Sequence, residues 1–170
     1  MANIITYQTQ AAHWHELILL AQKDTKIVLD HEVEAYVVMM LMRHMCRTNL
    51  AEVILSLEYL KALELPEKNQ NTKMQIVADQ CLIHAGLFPH RAMKKQVSSH
   101  YFIDLGRTAY AQLMESLSLI MPSLSALYCK LSAEFKSISS VMVNMRPEQA
   151  SFGKDLSFEL YDGLNFEKYH

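Results

Sequence analysis

Glycine and proline are scarce, with four of each in 170 residues. Because these two residues carry most turn chemistry, a chain of many short strands and tight hairpins is a poor reading. Cysteine is sparse as well: Cys46, Cys81 and Cys129 are odd in number and widely spaced. That argues against a disulfide framework and suits a reducing, cytoplasmic setting. Long apolar runs are missing. The longest, Ala35 to Met42, has eight residues, whereas a membrane-spanning helix needs roughly 20. The start, MANIITYQTQAAHWHE, lacks the basic and apolar regions of an export signal. Strong charge is also lacking. A formal net charge of −2 gives no global reason to expect nucleic acid or an acidic membrane as partner.

Reaction signatures are absent too. There is no G-x-S-x-G turn, no phosphate-binding glycine loop and no cysteine with a recognisable histidine partner. A di-iron bundle draws Glu-x-x-His from each of two helices, and no pair of such motifs occurs. The near misses are His13-x-His15-Glu16, His31-Glu32-x-Glu34, His44-x-Cys46 and Asp79-x-Cys81-x-x-His84. On a helix, i and i+2 diverge by about 200°, so neither His13 with His15 nor His44 with Cys46 shares a metal. Cys81 and His84 share a face, but two ligands do not make a site. No c-type haem attachment motif is present, and the eleven methionines read as adaptable core filler. No cofactor or metal is expected.

What is present is helical periodicity. Trp14, Leu17, Ile18 and Ala21 predict a helix over 10–22. Asp30 is a good N-cap for a second, with Glu32 and Glu34 early and Arg43 and Arg47 late, the order a helix dipole prefers. Its middle is apolar on all sides, which places it at the bundle centre. Asn49 and Glu52 resemble a capping box for a third helix to about Leu63, with Val53, Ile54, Leu57 and Leu60 as its buried stripe. Residues 66–71 read as a polar connector. A fourth helix over 72–85 buries Met74, Val77, Ala78, Cys81, Leu82 and Ala85, and Gly86 reads as its left-handed cap. Another runs from Ser99 to about Leu119. After Pro122, the longest helix is expected over 123–145, with a seam at Leu124, Leu127, Leu131, Phe135, Ile138, Met142 and Met145. The expected fold is therefore all-α, a single-domain bundle of six to seven helices over 1–146. The remainder, 147–170, is a poorly patterned tail mixing five acids with five aromatics.

The segment HAGLFPHRAMKKQVSSHYFIDLGRTAY, residues 84–110, collects two glycines, a proline and three histidines. It reads as a corner: Pro89 opens a short helix to Gln96, and Ser98 or Ser99 caps the next. His90, Arg91, Lys94 and Lys95 give this corner a basic surface. Gly106 sits inside a helix at a cost of about 1 kcal/mol relative to alanine, which close approach of a backbone or a large ring would offset. His100, Asp104 and Arg107 fall at i, i+4, i+7, with Tyr110 near that line. They read either as a charge ladder or polar clamp, or as a carboxylate orienting an imidazole and a guanidinium. The string Ala92 to Phe102 approaches helix-turn-helix spacing, with Gln96 at the usual glycine, yet its second helix has few groups suited to base edges.

Val77 to Tyr110 resembles a family of bacterial all-helical proteins in which an AGLFP corner precedes VS, YF, LGR and AY elements, and Leu29 to Met45 resembles that family's N-terminal helix. The resemblance covers under a third of the chain. It implies a gammaproteobacterial source and brings no activity with it. The functional expectation is a non-enzymatic interaction or regulatory protein that binds a protein partner or forms a homodimer. The candidate surface is His90, Arg91, Lys94, Lys95, His100, Asp104, Arg107 and Tyr110. An acidic tail from one chain would lie on the basic corner of another. The alternatives are a ligand-binding or enzymatic bundle with a pocket near His84, His100 and Arg107, and helix-turn-helix DNA binding.

Overall fold

Helix α1 of the computed structural model spans Ala2–Thr25 and α2 spans His31–His44. They are followed by α3 (Leu55–Leu63), α4 (Glu67–Leu87), α5 (Tyr101–Leu117), α6 (Pro122–Ala133) and α7 (Phe135–Val143). The structure describes residues 2–44, 55–89, 98 and 100–145, with side chains from 10 onward. Among the described residues every regular element is an α-helix, so the fold class is all-α. The helices group into two compact units, one holding α1 and α2 and the other α3 to α7.

In the first unit α1 and α2 pack as a pair. Trp14, Leu17, Ile18 and Ala21 are buried as their spacing requires. The helix is longer than that stripe, and Lys26 ends it in a left-handed conformation (φ 57°). Asp30 caps α2 as expected: its Oδ1 accepts the Glu32 N–H at 3.1 Å. The expectation that α2 is enclosed on all sides is overturned on one edge. Val33, Tyr36, Val37, Met40 and Leu41 are buried, but Ala35 and Met39 are exposed. Arg43, in the last turn, lies over the Tyr36 ring at 5.5 Å from its centroid.

In the second unit α4 and α5 form the main pairing, with α3 and α7 against α4 and α6 against α5. The polar connector expected over 66–71 is instead the first turn of α4, where Asn69 and Gln70 donate to the Pro66 carbonyl. The expected stripe of α3 is also overturned. Leu57 and Leu60 face solvent, whereas Leu55 and Ala62 are buried. Leu55, Glu58 and Ala62 share one face at i, i+3, i+7, and Glu58 reaches Lys73 on α4 at 2.7 Å. Leu57 and Leu60 lie off that face. Val53 and Ile54 lie outside the described residues.

Gly86 is not a left-handed cap. It lies within α4, and no described glycine has positive φ. An added Cβ would stand 2.5 Å from the Cβ of Met142, so glycine is what lets α7 lie against α4. Gly106 plays the part expected of it. A Cβ there would collide with Cε2 of Phe135 and lie 2.9 Å from the Cβ of Cys81. The helix expected over 123–145 is in fact two, interrupted at Glu134 (φ −95°, ψ 7°) immediately before Phe135. Backbone hydrogen bonds continue through the break, from Glu134 to Lys130 and from Ile138 to Glu134. Pro122 opens α6 in its first turn.

Candidate functional site

His90, Arg91, Lys94 and Lys95 lie outside the described residues, as do most of the positions read as a helix-turn-helix. The entry into α5 is described. Ser98 Oγ accepts the His100 N–H at 3.2 Å and its carbonyl accepts the Tyr101 N–H at 3.0 Å, which starts α5. The Tyr101 hydroxyl accepts the Ser56 N–H at 3.1 Å and so fixes the start of α3 beside that of α5.

His100, Asp104 and Arg107 are all exposed. No side-chain hydrogen bond or ion pair joins them to one another among the described residues. They stand as separate surface groups along one helix. Tyr110 turns the other way. It is fully buried, donates to Asp79 Oδ1 at 2.7 Å and stacks on Tyr128 with ring centroids 5.9 Å apart. His84 is buried too, stacked on Phe102 at 5.0 Å with Phe88 at 6.5 Å. His84 and Tyr110 therefore belong to the interior of the second unit, while His100 and Arg107 belong to its surface. Cys81 is part of the same interior: burial, with a smaller contribution from Asp79, pushes its thiol far above the usual range and keeps it protonated.

The contacts along α4 and α5 give their register. His84 meets Phe102, Cys81 faces Gly106 and Asp79 meets Tyr110. The two helices are thus antiparallel, and extending the same register sets the start of α4 opposite residues 117–121. The α3–α4 and α5–α6 connections lie at one end of the unit. There Leu119, Ile120 and Met121 are 94%, 66% and 51% exposed, and Leu63 and Leu65 in and before the α3–α4 connection are exposed as well. Pro122 and the Met121 N–H bond to the Leu117 carbonyl hold this turn. Spacing alone did not mark the patch, because the apolar residues of LSLIM continue the pattern of α5 up to the turn before Pro122.

A second cluster joins two of the near-miss motifs, His15 on α1 with His31 and Glu34 on α2, which the sequence kept apart because they lie on two helices. Glu34 on α2 is buried against α1, its side chain only 7% exposed. Gln22 Nε2 donates to its Oε1 at 2.8 Å, and Gln22 Oε1 accepts the Leu29 N–H at 2.7 Å. The other oxygen, Oε2, lies 3.5 Å from His15 Nε2 and 3.6 Å from His31 Nδ1. The three line a shallow groove of about 420 Å³ walled by Ala11, Ala12, Ala35, Val38 and Met39. Among the described residues no group of three or more His, Cys, Asp or Glu is arranged to hold a metal ion. No helix there is long and apolar enough to cross a membrane. No family model, curated protein or solved structure matches the chain, so the resemblance over Val77 to Tyr110 rests on those sequence strings alone.

Proposed function

We propose that the protein is a non-enzymatic helical interaction module that binds a protein partner or a second copy of itself. The carrying observation is the apolar end of the second unit. Three consecutive large side chains, Leu119, Ile120 and Met121, stand more than half exposed. Scattered exposed apolar residues are ordinary, but a contiguous group at one end of a bundle is what an interaction surface presents. Burying it would recover about 25 cal/mol for each Å² removed from water. The basic corner and the acidic, aromatic tail add complementary charge in the sequence, which serves partner choice and association rate more than raw affinity.

The test replaces Leu119 and Ile120 by lysine, which leaves the helix caps and core in place. Sedimentation equilibrium of the wild type and Leu119→Lys/Ile120→Lys is compared, together with affinity capture from the native cell using each as bait. The reading expects a self-associated mass or a captured protein that the variant loses. A monomeric wild type whose captured set is the same as the variant's would remove it.

A further inference from the structure

We infer that the groove between α1 and α2 is a receptor site for a primary alkylammonium ion, with Glu34 as its anionic floor. This is independent of the apolar end, which lies in the other unit. A carboxylate held away from water at 7% exposure is costly unless something of opposite charge or a hydrogen-bond donor meets it. Its Oε1 is met by Gln22 at 2.8 Å. Its Oε2 is aimed into the groove, where its neighbours are two ring nitrogens at 3.5 and 3.6 Å, too long for good hydrogen bonds.

The geometry selects among cations. A guanidinium pairs best with both oxygens of a carboxylate, and here Gln22 already occupies one. A divalent metal needs a converging donor set, and none is present among the described residues. An ammonium group is a compact charge with three donors. One N–H can go to Glu34 Oε2, while the others keep water at the open mouth of the groove. Both histidines sit at the surface, with side chains 50% and 99% exposed, so they can swing to accommodate a guest. The alkyl stem then lies along Ala35, Val38 and Met39.

The probe is n-butylammonium chloride, added to the full chain at pH 8. Tetramethylammonium chloride, of equal charge but with no N–H, is the control. The readout is the His15 and His31 ring signals by NMR. Saturable shifts with n-butylammonium, with a Kd on the order of millimolar, and none with the control are expected. Glu34→Gln should weaken binding at least tenfold. Because that position is buried, Ala35→Leu supplies a second variant: it narrows the groove from an exposed position and should weaken binding without touching the carboxylate. Equal responses to the two cations, absence of saturation, or undiminished binding in both variants would overturn the site.

Discussion

Gly86 and Gly106 show how two missing methyl groups position two helices. At Gly86 the nearest obstacle to a Cβ is the Cβ of Met142, which is anchored to backbone and cannot swing aside. At Gly106 the obstacles are a ring, Phe135, and another anchored atom, the Cβ of Cys81. Alanine would gain about 1 kcal/mol in helix propensity at each site, but forcing atoms into a filled core typically costs about 1–3 kcal/mol. The collision dominates because Phe135 is itself fully buried between helices. Gly106→Ala and Gly86→Ala should each lower the stability read from urea unfolding, by a net of up to about 2 kcal/mol, with an unchanged helical circular dichroism spectrum at zero denaturant. Gly106 was legible in the sequence as a close-approach glycine, because its place inside a periodic apolar face needed an explanation. Gly86 was not, since a glycine at a helix end suits a left-handed cap equally well, and only the position of Met142 separates the two roles.

Among the helices, α3 shows where periodicity alone misleads. Its sequence, LSLEYLKAL, is apolar on more than one face, so several rotations bury a similar number of leucines. In the fold the face turned inward carries Leu55 and Ala62, with Glu58 between them. Glu58 accepts from Lys73 on α4 and from Lys61 on its own helix, at 2.7 and 3.1 Å, and these two lysines hold its carboxyl below its ordinary value of 4.5. A lowered folded value means stabilisation present above pH 4.5 and lost as the pH falls through the folded value. For a pair this close to solvent the amount is small, about 0.2–1 kcal/mol. Urea unfolding of the wild type and Glu58→Gln should therefore differ at pH 7. The gap should narrow below pH 4.5 and close once the folded carboxyl is protonated. The break at Glu134 was hidden for a related reason: the 3-4-4-3-4-3 seam runs straight through it, with no proline or glycine to announce the interruption.

On the scale of the whole chain, the sequence proposes a charge relation between the basic corner, Arg91, Lys94 and Lys95, and the acidic tail after Arg146. Both lie outside the described residues. If tail and corner join two copies, a chain ending at Arg146 should sediment at a lower apparent mass than the full chain. The effect should fade at high salt, since exposed charges about 10 Å apart are largely screened at 0.1 M ionic strength. An unchanged mass would leave the apolar end of α3 to α7 as the remaining basis for self-association.

Composition and periodicity by themselves determined the all-α class, the helix starts at Asp30 and Pro122, and most of the buried positions on α1, α4 and α5. Those features are local: a cap, a proline or a 3.6-residue stripe acts within one or two turns of its own helix. Tertiary structure decided the rotation of α3, the role of Gly86 and the inward turn of Tyr110 toward Asp79. It also decided the exposure of Leu119 to Met121 and the meeting of His15, His31 and Glu34. Each of these depends on which residue of a different helix arrives opposite, and a single strand of spacing carries no record of that.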